Sequence, residues 1–150
     1  MSTIEHQHED LDARLRTALE AEGQRFTEQR AAVYRFLHHT DRHPSADDVF
    51  TSVRDVIPDI SLATVYKSLE TLVSCGLASK LTYGDGSARY DGRTDPHPHA
   101  RCLACGTVLD VPGHLDAESV RGIGELPGGF AVEGYRVEVV GTCRDCQRAA

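Results

Sequence analysis

Apolar residues recur at helical spacing four times in the first half of the chain. Between Asp10 and Glu20, Leu11, Leu15, Ala18 and Leu19 line one face, which predicts an amphipathic helix needing a partner to cover it. Thr27 can cap a second helix, its hydroxyl accepting an orphan backbone N–H, and the apolar face that follows is Ala32, Val33, Phe36 and Leu37. Ser45 with Asp48 three residues on has the form of a capping box. Val49, Val53, Val56 and Ile57 then give a third face, ended by Pro58. In "SLATVYKSLETLVSCG", Ser61 is the N-cap, Leu62, Val65, Leu69, Leu72 and Val73 form the buried stripe, and Gly76 terminates the helix.

The opposite side of this fourth helix is Ala63, Thr64, Tyr66, Lys67 and Glu70. Small, hydroxyl-bearing and cationic side chains near the start of a helix that follows a break at Pro58 suit entry into a DNA major groove. "LASKLTYGDGSARYDG" then has two strand-like runs around Gly84-Asp85-Gly86, which predicts a hairpin. Helices followed by a hairpin make a winged helix, placed over residues 1–91. From Arg93 onward the texture changes to Gly, Pro and short alternating runs. Tyr135, Val137 and Val139 are expected on one face of a strand, with Arg136 and Glu138 on the other. The expected class is α+β: an N-terminal winged helix-turn-helix domain and a small C-terminal α/β domain over residues 92–150. At under about 60 residues the second domain is marginal on a hydrophobic core alone, and a metal staple is commonly needed.

Composition bears on compartment and partners. The start, MSTIEHQHEDLD, has no apolar signal region, and no run approaches the roughly 18 apolar residues of a membrane helix. The expectation is a soluble cytoplasmic protein without a membrane partner. The formal charge of -7 counts against nucleic acid, because phosphate binding wants Lys and Arg. Residues 1–92 are themselves acidic, with 10 Lys and Arg against 15 Asp and Glu. Yet Ser61 to Lys80 nets +1 and Arg25 to Arg35 nets +2, so acidity is expected away from a DNA-contacting face.

Four of the five cysteines form two C-x-x-C pairs, Cys102/Cys105 and Cys143/Cys146, separated by 37 residues. Two intervening residues let both sulfurs of a knuckle face one ion, and four thiolates close a tetrahedral zinc site with no position left for substrate. Such a site is structural and fastens the last strand of the small domain to its first. An iron-sulfur cluster is the alternative occupant. His97 and His99 then remain for a second metal: alternating residues on an extended segment point the same way, and Pro96 and Pro98 hold the segment extended. Asp110 sits where a returning strand could bring it beside them. Nitrogen and oxygen donors select a harder ion, such as iron or manganese, than sulfur does. Read alone, Asp85 is a turn residue and His43 a linker residue, and a plain loop is the alternative for the two histidines.

The segments "RFTEQRAAVYRFL", "HPSADDVF", "SLATVYKSLETLVSCGL", "TYGDGSARYD", "HPHARCLACGTVLD" and "CRDC" occur in an order and spacing that resembles the ferric uptake regulator (Fur) family, most closely its peroxide-sensing PerR branch. The resemblance runs from about Asp10 to Gln147. It implies a homodimeric, metal-dependent repressor of palindromic double-stranded operators, with a C-terminal dimerisation domain. It further implies a structural Zn(II) on Cys102, Cys105, Cys143 and Cys146, and a regulatory Fe(II) or Mn(II) on His43, Asp85, His97, His99 and Asp110, bridging the hinge between the domains. DNA contacts are implied for Arg25 in the minor groove and for Ser61, Thr64, Tyr66 and Lys67 in the major groove. Asp110 resembles the PerR branch, where iron-sensing members tend to have Glu. "EGYRVEVV" lacks the His that completes an additional site in many members. A zinc sensor would use a further Cys, and Cys75 reads as core.

Three other functions remain in view. A plain iron- or manganese-sensing repressor shares the ligands without the peroxide chemistry. A zinc deaminase requires H-x-E and P-C-x-x-C, where this chain has His97-Pro98-His99 and Arg101-Cys102. A zinc-ribbon interaction module with no DNA target leaves the exposed face of the Ser61 helix unexplained.

Overall fold

The computed structural model describes residues 2–82, 87–94, 97–112, 126–131 and 138–149. Asp85 and its turn, Pro96, and Tyr135, Arg136 and Val137 of the expected strand lie outside the described residues. The chain divides into two compact units, Met1–Thr94 and Asp95–Ala150.

The first unit is four helices and a hairpin. Helix α1 (Thr3–Ala21) starts well before Asp10, because Ser2 and Glu5 close a capping box: the Glu5 N–H donates to Ser2 Oγ at 3.3 Å and the Ser2 N–H to the Glu5 carboxylate at 2.8 Å. Its first turns carry no apolar stripe, so periodicity could not reveal them; Leu11, Leu15 and Leu19 are the residues it buries. Helix α2 (Glu28–His39), capped by Thr27, buries Ala31, Ala32, Val33, Tyr34 and Leu37. Arg35 ties α2 to α1, its Nε donating to Asp12 at 3.0 Å.

Helix α3 (Ala46–Val53) opens on the Ser45–Asp48 capping box and buries Val49 and Val53. Val56 is 73 % exposed, contrary to the expected third face. The helix stops at Val53, where the N–H groups of Val56 and Ile57 turn back onto the Val53 carbonyl. Helical spacing therefore no longer carries Val56 inward, although Ile57 still packs on the core.

Helix α4 (Leu62–Ser74) starts at the Ser61 cap and buries Val65, Ser68, Leu69 and Leu72. Each buried Val or Leu contributes roughly 1.5–3 kcal/mol as an upper estimate. That anchorage fixes which face of α4 meets solvent. Gly76, at φ 73°, takes the left-handed conformation that closes the helix. Strands β1 (Ser79–Thr82) and β2 (Ala88–Asp91) pair antiparallel, Lys80 opposite Tyr90, and complete a winged helix-turn-helix.

The second unit is a three-stranded sheet ordered β4-β3-β5. Strand β3 (His99–Cys102) runs antiparallel to β4 (Val108–Asp110) and parallel to β5 (Glu138–Gly141); a short helix, α5 (Arg144–Ala149), follows. Arg101 Nε donates to Glu138 at 2.6 Å across β3 and β5. Among the described residues of this unit only Cys102 and Val108 are buried hydrophobics.

Candidate metal centres and DNA-facing surface

The four paired cysteines converge. Cys102 ends β3, where a tight turn returns the Gly106 N–H to the Cys102 carbonyl at 2.9 Å and brings Cys105 round. The parallel register sets Gly141 beside Cys102, so the chain leaving β5 delivers Cys143, whose N–H donates to Cys102 Sγ at 3.3 Å. Cys146 follows on α5, and one Sγ from each residue lies within 4.8 Å of the others. Cys105 and Cys143 sulfurs are 3.7 Å apart. Four sulfurs at 2.3 Å from a tetrahedral ion would sit about 3.8 Å apart, so the set fits Zn(II). Backbone N–H groups of Cys143 and Cys105 bring the Cys102 thiol down to about 6, whereas hydrogen bonding with Cys143 and Cys105 pushes the Cys146 thiol up to about 12. Four thiolates crowd one place, and a divalent cation is what lets all of them ionise together. All five cysteines are free thiols.

The second unit also gathers a donor set without sulfur. His97 precedes β3 and His99 begins it, and their ring centroids lie 4.4 Å apart, as the alternation through Pro98 requires. The β3–β4 register puts Asp110 opposite His99. Asp110 Oδ1 lies 2.7 Å from His97 Nε2 and 3.5 Å from His99 Nε2.

In the first unit His43 is buried just before Pro44. Its segment is held to β2 by the Tyr90 N–H, which donates to the Pro44 carbonyl at 2.9 Å, and by Arg89, whose guanidinium donates to the His43 carbonyl at 3.3 Å. The residue beside it is Asp91, with Oδ1 3.6 Å from His43 Nδ1 and both side chains almost wholly enclosed. The Arg93 N–H orients Asp91 by donating to Oδ1 at 2.8 Å. Sequence reasoning missed Asp91. The available signal was position, since Asp91 is a carboxylate at the buried end of a strand, immediately before a glycine. Imidazoles and carboxylates in both units suit Fe(II) or Mn(II) better than a soft ion.

The expected DNA contacts all fall in the first unit. Arg25 is exposed just before α2, and the Arg30 guanidinium donates to its carbonyl oxygen. Ser61 Oγ accepts the Thr64 N–H at 3.1 Å and lies 2.9 Å from Thr64 Oγ1, so the Ser61 hydroxyl already serves the cap. Tyr66, 45 % exposed, and Lys67 stand on the open side of α4. Cys75 is half-buried against the core at the end of α4, where burial pushes its thiol up.

Comparison with known proteins is consistent across most of the chain. The model of the ferric uptake regulator family matches residues 21–138. The peroxide-responsive repressor PerR of Staphylococcus saprophyticus is 36% identical over 147 residues, spanning 98% of this chain and 96% of the relative. The ferric uptake regulator Fur of Helicobacter pylori superposes with a TM-score of 0.73 over 93% of each chain, at a 23% identity that speaks to fold alone. The structure of PerR from Streptococcus pyogenes gives a TM-score of 0.51 at 28% identity, over 91% of this chain and 93% of that one.

Proposed function

This chain belongs to the ferric uptake regulator family and is a metal-responsive regulator, and we propose that it is a peroxide-responsive repressor that binds palindromic operator DNA as a homodimer. The single observation carrying the reading is the segregation of donors: every paired thiol is in the Cys102–Cys146 cluster, while His97, His99 and Asp110 form a separate sulfur-free set. The first holds a structural Zn(II). The second, together with His43 and Asp91, holds one Fe(II) or Mn(II), Asp91 taking the place first given to Asp85.

In this reading His43 and Asp91 come from the DNA-binding unit and the other three ligands from the dimerisation unit. Their common ligation favours one domain orientation, and that is the switch. Fe(II) bound there would supply the electrons that cleave the peroxide O–O bond, and returns to Fe(II) over the full reaction: one peroxide oxygen would go to a ring carbon of His43 or His97, which loses two electrons overall, and the other would leave as water. The oxidised ring would be a poorer donor, so the hinge would loosen and the operator would be released. Asp110 supports the peroxide branch, as does the similarity to the staphylococcal repressor. Dimerisation falls to the Asp95–Ala150 unit, where Leu109, Phe130, Val139 and Val140 are exposed. Recognition falls to α4, with Arg25 in the adjacent minor groove. In this reading the protein acts in the cytoplasm as a regulator rather than as an enzyme, as its family membership supports. No described helix is long and apolar enough to cross a membrane.

The test is electrophoretic mobility shift with Mn(II) and with Fe(II), before and after dilute hydrogen peroxide. Both ions should support binding and only the iron form should lose it. Survival of the iron complex removes peroxide sensing and leaves a plain metal-dependent repressor.

A further inference from the structure

Glu70 is the acidic residue on the open side of α4, one turn beyond Tyr66 and three residues beyond Lys67. A bare carboxylate on a face that approaches phosphate would repel it. This carboxylate is not bare. Lys80 Nζ on β1 donates to Glu70 Oε1 at 2.9 Å, and the Tyr90 hydroxyl on β2 donates to the same oxygen at 3.2 Å. Lys80 and Tyr90 are direct cross-strand partners, and the Lys80 ammonium lies 6.0 Å from the Tyr90 ring centroid. Tyr90 is 1% exposed, so its phenol needs a partner, and Glu70 is one. Three elements of the winged helix thus meet at one carboxylate.

The electrostatics agree. The Lys80–Glu70 hydrogen bond draws Glu70 below the usual carboxylate range and raises Lys80 above its own, while burial raises Tyr90, with the Lys80 charge opposing that rise and Glu70 adding to it. Glu70 and Lys80 are both well exposed, and exposed ion pairs contribute little to stability. Fold stability is therefore a poor reason for the cluster. A cation on a DNA-facing surface matters more for binding, because each phosphate neutralised changes the salt slope by about 0.9.

We infer that Glu70 is a specificity-determining residue: it pins the hairpin against the recognition helix and engages the Lys80 ammonium, so that this cation is withheld from phosphate and sequence-independent affinity stays low. The inference rests on the proposed DNA binding by α4. It also accounts for an acid in the middle of the helix that reads bases.

The test uses the full-length, Mn(II)-loaded protein as parent, Glu70→Gln, Lys80→Gln and the double variant. Binding is measured by fluorescence anisotropy across a salt series, on a random-sequence duplex and on the duplex recovered by in vitro selection with the parent. Glu70→Gln should bind the random duplex several-fold more tightly, with a salt slope steeper by about 0.9, and should lose discrimination between the duplexes. Lys80→Gln, which leaves Glu70 without its cation, should weaken both. The double variant should return close to the parent. A Glu70→Gln protein with the parent's slope, or a double variant that keeps the tighter binding of Glu70→Gln, overturns the role given to Glu70. A parent that binds no duplex overturns the DNA reading itself. The cluster is checked without DNA by ultraviolet titration of tyrosine, where Glu70→Gln should lower the Tyr90 ionisation point; an unchanged titration shows that the two groups do not interact in solution.

Discussion

A Cβ on Gly92 would lie 2.7 Å from the carbonyl oxygen of Leu37, so the exit of β2 passes the last turn of α2 where a side chain does not fit. The obstacle is backbone, which cannot rotate aside. Gly92→Ala should therefore lower stability by about 1–3 kcal/mol. Because Gly92 follows Asp91, the same change should weaken Mn(II) binding. Denaturant midpoints and Mn(II) titration check both; a parental midpoint would show that α2 and β2 separate freely.

Asp91 and Asp85 make opposite predictions for the regulatory ion. Asp91→Asn should reduce Mn(II) affinity at least tenfold, since loss of even an outer partner of a metal ligand commonly costs 10–100-fold. Asp85→Asn should leave it near the parental value. Isothermal titration of the two variants, with zinc retained, decides between the carboxylates; a strong effect of Asp85→Asn alone would restore it as the ligand.

Cys143→Ser should release zinc and unfold the second unit cooperatively. The binding energy of a structural ion is folding energy, and among the described residues of that unit only Cys102 and Val108 are buried hydrophobics. Metal analysis after dialysis, with circular dichroism, tests this. One equivalent of zinc retained against a chelator would contradict a four-thiolate site.

Tyr66→Ala should cost about 1–3 kcal/mol of operator binding and relax sequence preference, whereas Arg25→Ala should weaken binding mainly on narrow-groove, A/T-rich sites. Ser61→Ala is expected to behave differently. Its hydroxyl caps α4, so about 1 kcal/mol of helix stability is lost along with affinity. Competition binding together with thermal denaturation separates the three; parental binding by both Tyr66→Ala and Arg25→Ala would move the DNA face elsewhere.

Peptide mass spectrometry of the iron form after dilute peroxide should find one added oxygen on the peptide containing His43 or on that containing His97, and none on the manganese form. Unmodified peptides with DNA binding intact would exclude ligand oxidation as the signal.

What the sequence made legible follows from how local each cause is. Helix α4 could be read because Ser61, its apolar stripe and Gly76 are neighbours, and the convergence of four cysteines because C-x-x-C encodes its geometry in four residues. The early start of α1 was written only in Ser2 and Glu5, which a search for apolar periodicity passes over. Val56 was misplaced because helical spacing was extended past the end of α3. Asp91 was missed for a different reason. The hairpin turn drew attention to its own aspartate, whereas the company Asp91 keeps with His43 is set by β2 packing beside the segment before α3, a long-range relation with no motif.

The parallel pairing of β3 with β5 gives this protein an order of assembly. Cys102 and Cys105 leave the ribosome well before Cys143 and Cys146, and β3 must wait with one edge open until β5 arrives. Pairing between distant parallel strands is slow, and an open strand edge invites association with other chains. Capture of the ion is then the event that seals each new molecule. In a cell starved of zinc, chains that cannot be sealed should be degraded, so the amount of this repressor should follow zinc supply, whichever metal sets its activity.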